Sequence, residues 1–113
     1  MKTIILSVLT LGLSSNLFAK EVFICDLFLN DNIIKTQGVD YTPGKTIQID
    51  LGLQSGYRFG GGVKGDYKYA WYWFDQVGTM TAQGGEVTGN PVTASTLSEF
   101  GEKLEVSCDL HDI

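Results

Sequence analysis

Polar and apolar positions alternate with a period of two along most of this chain, the spacing of strands that bury one face. Phe23, Cys25, Leu27 and Leu29 alternate with residues that include Asp26, and Leu104, Val106, Cys108 and Leu110 alternate with Lys103, Glu105, Ser107 and Asp109. Turn signals separate such runs. Asp31-Asn32 predicts a two-residue hairpin loop, which puts Ile34, Thr36, Gly38 and Asp40 on the side of Phe23 and Cys25. Thr42-Pro43-Gly44-Lys45 predicts a β-turn, because proline presets φ at its second position and glycine turns positive at its third. Carrying the register through that turn places Ile47, Ile49, Leu51 and Leu53 on the same side. Further on, Gly84-Gly85 predicts a hairpin between Thr79 to Gln83 and Glu86 to Gly89. Val92 to Phe100 reads as an edge strand or, through Thr96-x-x-Glu99, as one capped helical turn. The sum is an all-β, meander-like domain of about eight strands, and both a small antiparallel barrel and a two-sheet sandwich satisfy it.

The densest signal is Tyr57 to Asp75, YRFGGGVKGDYKYAWYWFD, which holds both tryptophans. Gly65-Asp66 predicts a tight two-residue loop and so fixes the pairing on either side of it. Lys64/Tyr67, Gly62/Tyr69, Gly60/Trp71 and Arg58/Trp73 share one side; Val63/Lys68, Gly61/Ala70, Phe59/Tyr72 and Tyr57/Phe74 share the other. The second side reads as the core face, with Lys68 near the turn snorkelling to water. On the first side, Gly60 and Gly62 offer Trp71 and Tyr69 a floor without side chains, and Arg58 over Trp73 predicts a cation–π pair. Arg58, Tyr67, Tyr69, Trp71 and Trp73 are therefore the candidate binding residues. The competing reading buries both sides and makes the glycines mere packing space.

Composition changes the picture in three ways. Met1 to Ala19 has one lysine, an apolar run from Ile4 to Leu13 too short to span a bilayer, and a small residue at its end, which predicts a bacterial Sec-type signal peptide. The expected product is a periplasmic or secreted single β domain of residues 20–113. Losing Lys2 leaves seven basic against thirteen acidic residues, a net charge of roughly −6, which argues against nucleic acid as a partner. The two cysteines, Cys25 near the start of the first strand and Cys108 near the end of the last, predict a disulfide that closes the domain. Eight membrane-crossing strands with their turns would need more residues than remain, so no membrane span is expected.

Reaction chemistry is sparse. The single histidine, His111, falls in the predicted C-terminal tail, and no cluster has metal-ligand spacing. Gly60-Gly61-Gly62 lacks the Lys-Ser/Thr of a phosphate loop and leads into a hairpin where a helix is required. Asp66 and Asp75 end one strand, too far apart for a glycosidase pair. No enzyme, cofactor or metal site is expected.

Ser55-Gly56-Tyr57-Arg58-Phe59 resembles the Ser-Gly-x-x-Tyr region of the periplasmic C-type lysozyme inhibitors. The likeness covers about five residues. Leu53-Gln54 stands where that family has Ser-Ala, and Trp73 is followed by Phe74-Asp75-Gln76 where it has Trp-x-Lys-Gly. The resemblance implies an antiparallel β-barrel in which Ser55 and Arg58 enter an enzyme cleft. Three functional expectations follow. The first is a non-catalytic module whose aromatic side contacts a glycan or an envelope protein. The second is an inhibitor of a cell-wall hydrolase presenting Gln54 to Tyr57. The third is a structural or assembly protein with the aromatic ribbon buried.

Overall fold

A computed structural model of the chain describes residues 20–112; the predicted signal peptide, Met1 to Ala19, lies outside them. Eight strands follow one another: β1 (Glu21–Leu29), β2 (Asn32–Tyr41), β3 (Ile47–Gln54), β4 (Tyr57–Lys64), β5 (Tyr67–Phe74), β6 (Thr79–Glu86), β7 (Val92–Leu97) and β8 (Lys103–Asp112). They form two four-stranded antiparallel sheets, β2-β1-β8-β7 and β3-β4-β5-β6. Every neighbour in a sheet is a neighbour in sequence except β1 and β8. The strand order is thus that of an up-and-down barrel, flattened and opened along two seams, β2/β3 and β6/β7. Of the two predicted architectures, the chain adopts the sandwich while keeping the barrel's order.

The inner faces meet in a core of Phe23, Leu27, Ile49, Phe59, Val63, Leu104 and Val106. At its centre Cys25 lies directly opposite Cys108 on adjacent strands, and the two are bonded. Their sulfurs press on Gly61 of the facing sheet, where an added Cβ would stand 2.8 Å from Cys25 Sγ. The middle glycine of Gly60-Gly61-Gly62 is therefore the seat of the disulfide.

Two lysines bridge the seams. Lys35 donates to the Leu51 carbonyl across β2/β3 at 2.8 Å. Lys68, wholly buried, donates to the carbonyls of Val87 (3.2 Å) and Gly89 (2.8 Å) and to Asp109 Oδ1 (2.7 Å) across β6/β7. The expectation that Lys68 snorkels to water is overturned. An ammonium has three donors, and a seam supplies three acceptors that no strand has used.

Several registers differ from the sequence reading. The first hairpin loop is Asn30-Asp31, both at positive φ, and not Asp31-Asn32. A bulge beside Ile34 follows, so Cys25 faces Gln37, and Gly38 faces Ile24 on the outer side. The turn at Thr42 to Lys45 forms as predicted, with the Lys45 N–H on the Thr42 carbonyl and Gly44 at φ +86°. It carries the chain from one sheet to the other, however, so no ladder transmits parity across it. A second bulge between Asp50 and Gly52 keeps Leu51 inside and turns Leu53 out.

Gly84-Gly85 is not a loop. β6 runs straight through it because β5 offers eight residues to pair, and a hairpin there would leave half that ladder empty. Val92–Leu97 takes the strand alternative. His111 belongs to β8, opposite Val22, since β1 begins early enough to pair it.

Candidate functional site

The β4-β5 hairpin forms with Gly65 at φ +61°, and all eight pairs follow the register read from the sequence. Val63, Phe59, Ala70 and Lys68 turn into the core. Arg58, Tyr67, Tyr69, Trp71 and Trp73 turn outward on the face of the β3-β4-β5-β6 sheet that the other sheet does not cover. The reading in which both sides are buried within the domain is therefore set aside.

The outward rings do not stand up from the sheet. A Cβ added at Gly60 would come within 2.5 Å of Trp71 Cζ2 and 2.8 Å of its Cε2; one added at Gly62 would come within 2.5 Å of Tyr69 Oη and 2.8 Å of its Cζ. Each ring thus lies over a glycine of β4, half-buried and bordering an open groove. Both glycines are buried beneath them. Trp71, Tyr69 and Trp73 are half-buried, while Tyr67, next to the turn, is 63% exposed.

Neighbouring strands complete the surface. β3 sets Gln48 beside Gly62 and Asp50 beside Gly60, and β6 sets Met80 opposite Trp73 and Ala82 opposite Trp71. Together Gln48, Asp50, Tyr69, Trp71, Met80 and Ala82 line an open groove of about 470 Å³. Sequence reasoning did not assign Gln48 and Asp50 to the site, although alternation with buried Ile47 and Ile49 already pointed them outward. Met80 and Ala82 were missed because the Gly-Gly reading paired their strand with Glu86 to Gly89 and not with the aromatic strand β5. Arg58 does not sit over Trp73 as a cation–π partner; its Nε lies 3.9 Å from Asp75 Oδ1, an exposed ion pair.

The open end of the sandwich holds the Ser55-Gly56 turn, both residues at positive φ. Tyr57 stacks on Phe74 there, with centroids 4.6 Å apart and planes 16° from parallel. With Leu97 and Phe100 they line a second cleft, of about 410 Å³. Ser55 Oγ donates to Glu102 Oε1 at 2.7 Å, while Arg58 lies on the outer face. Entry of Ser55 into an enzyme cleft would cost that bond, and the two residues do not converge on one site. Among known proteins, no family model, curated protein or solved structure matches this chain. The likeness at Ser55 therefore stands on its five residues alone.

Proposed function

We propose that this chain is an exported, non-catalytic binding protein that stacks sugar rings of a glycan on the outer face of its β3-β4-β5-β6 sheet. One observation carries the reading: Trp71 and Tyr69 lie over Gly60 and Gly62, next to the outward amide and carboxylate of Gln48 and Asp50. A pyranose has a C–H face that packs on an aromatic ring and an equatorial rim of hydroxyls that needs donors and acceptors. Rings pinned on a glycine floor lose little freedom when a ligand arrives, so more of the contact energy appears as affinity. The Cys25–Cys108 disulfide is compatible with an oxidising compartment outside the cytoplasm.

The test is retention of the oxidised 20–113 domain on insoluble polysaccharides, cell-wall glycan included. Trp71→Ala and Tyr69→Ala are each expected to weaken binding about tenfold, from roughly 1.4 kcal/mol of lost stacking, with the thermal midpoint little changed. Retention that survives both substitutions, or no retention of the unsubstituted domain on any glycan, sinks the reading. Collapse of the midpoint in either variant would instead make the rings structural, the assembly-protein alternative.

A further inference from the structure

Each sheet ends in two edge strands, and three of the four are guarded. β2 is bulged and carries Lys35 and Asp40; β3 is bulged at Asp50, whose carboxylate accepts the Gly52 N–H at 2.8 Å; β7 has only six residues. β6 has none of these protections. It pairs with β5 alone, it is unbulged, and from Thr79 to Gly85 it carries neither charge nor proline. Natural sheets blunt an open edge with charge, bulges or brevity, because its unpaired N–H and C=O groups invite another strand.

The edge is also accessible. Thr79, Thr81 and Gln83 have the parity of the inner face yet are exposed, so β6 overhangs the short β7. A strand arriving there meets no obstruction from the facing sheet.

The side chains of β6 say what fits. In antiparallel pairing about a two-fold axis normal to the sheet, each residue must oppose one of the same face, so the axis passes through a residue. An axis at Ala82 pairs Met80 with the partner's Gly84, Ala82 with itself, Thr81 with Gln83 and Thr79 with Gly85. The exposed Met80 side chain then lies over a position with no side chain, and every opposed pair is uncharged. An axis at Gln83 would set Met80 against Glu86, and one at Thr81 would crowd Met80 against Ala82.

From this self-complementarity we propose that β6 is a homodimer interface, with the two β6 strands pairing antiparallel through Ala82 to make one continuous eight-stranded sheet. Both aromatic faces then lie on the same side. Met80 of each copy borders the join, so the two Tyr69/Trp71 grooves run into one surface suited to an extended polymer or to two points on one ligand.

Sedimentation of the oxidised domain without ligand tests this independently of glycan binding. The expected result is a concentration-dependent monomer–dimer equilibrium that Ala82→Lys abolishes, since two ammonium groups would stand opposite one another at the axis. Gly84→Val should abolish it too: the nearest atom to an added Cβ is Lys68 O at 3.4 Å, so the monomer accommodates the change while the seat for Met80 is lost. Under mild oxidation, Ala82→Cys should cross-link two copies and Thr79→Cys should not. A monomer throughout the micromolar range, a dimer indifferent to Ala82→Lys, or cross-linking at Thr79→Cys in preference to Ala82→Cys would each overturn the proposal.

Discussion

Gly61 and Lys68 show how much of this fold turns on single residues whose role is invisible one position at a time. Gly61 is one of three consecutive glycines, yet its neighbours serve the outer surface and it alone accepts the disulfide. Gly61→Ala would press a methyl group against Cys25 Sγ at 2.8 Å and the Tyr69 carbonyl at 2.7 Å, with a predicted loss of about 2 kcal/mol in denaturant unfolding. Gly85→Ala, whose Cβ would meet only Val92 Cγ1 at 3.4 Å, should be close to neutral. Lys68 fills its three donor positions with two carbonyls of the β6–β7 connection, Val87 and Gly89, and with Asp109 of β8 in the facing sheet. Asp109→Ala would leave its ammonium buried with two carbonyls and no counter-charge, at an expected cost of about 3 kcal/mol. Lys68→Met should cost less, because Asp109 keeps contact with water. Equal losses in urea titrations of the two variants would refute that asymmetry.

At the scale of elements, what decided success was whether a register rested on local chemistry. The β4-β5 hairpin was legible because Gly65-Asp66 fixes every pair that follows from it, and with the pairs came the outward set Arg58, Tyr67, Tyr69, Trp71 and Trp73. The β5-β6 pairing was not legible. Gly84-Gly85 carries the chemistry of a turn, and only the unfilled ladder of β5 pulls it straight. Bulges were equally hidden, since an extra residue costs little locally and reverses all that follows. The reversal in β3 is measurable: Leu51→Ala should lose about 2–4 kcal/mol, whereas Leu53→Ala should change stability by less than about 0.5 kcal/mol. Comparable losses at both positions would place Leu53 in the core and contradict the bulge.

At the scale of the whole described fold, residues 20–112, β1 pairs with β8, and the disulfide locks that pairing at its centre. It joins residues 83 apart in sequence. The chain-entropy model assigns a loop of this length about 4–5 kcal/mol, comparable to the whole stability of a small domain. The Cys25→Ala/Cys108→Ala double variant should therefore be marginally folded at room temperature, and a guanidinium midpoint close to that of the oxidised protein would refute this. The sequence by itself determined the strand class, the alternating runs that become β1 and β8, the disulfide partners and the register of the aromatic hairpin. All of these follow from side-chain periodicity or from turns that span a few residues. Only the tertiary structure decided that the ring of strands opens into two sheets, that Lys35 and Lys68 bridge the seams, and that Gln48, Asp50, Met80 and Ala82 join the aromatic rings. Those outcomes depend on which strands find partners across the molecule, and backbone groups left unpaired by one strand are satisfied by residues distant in the chain.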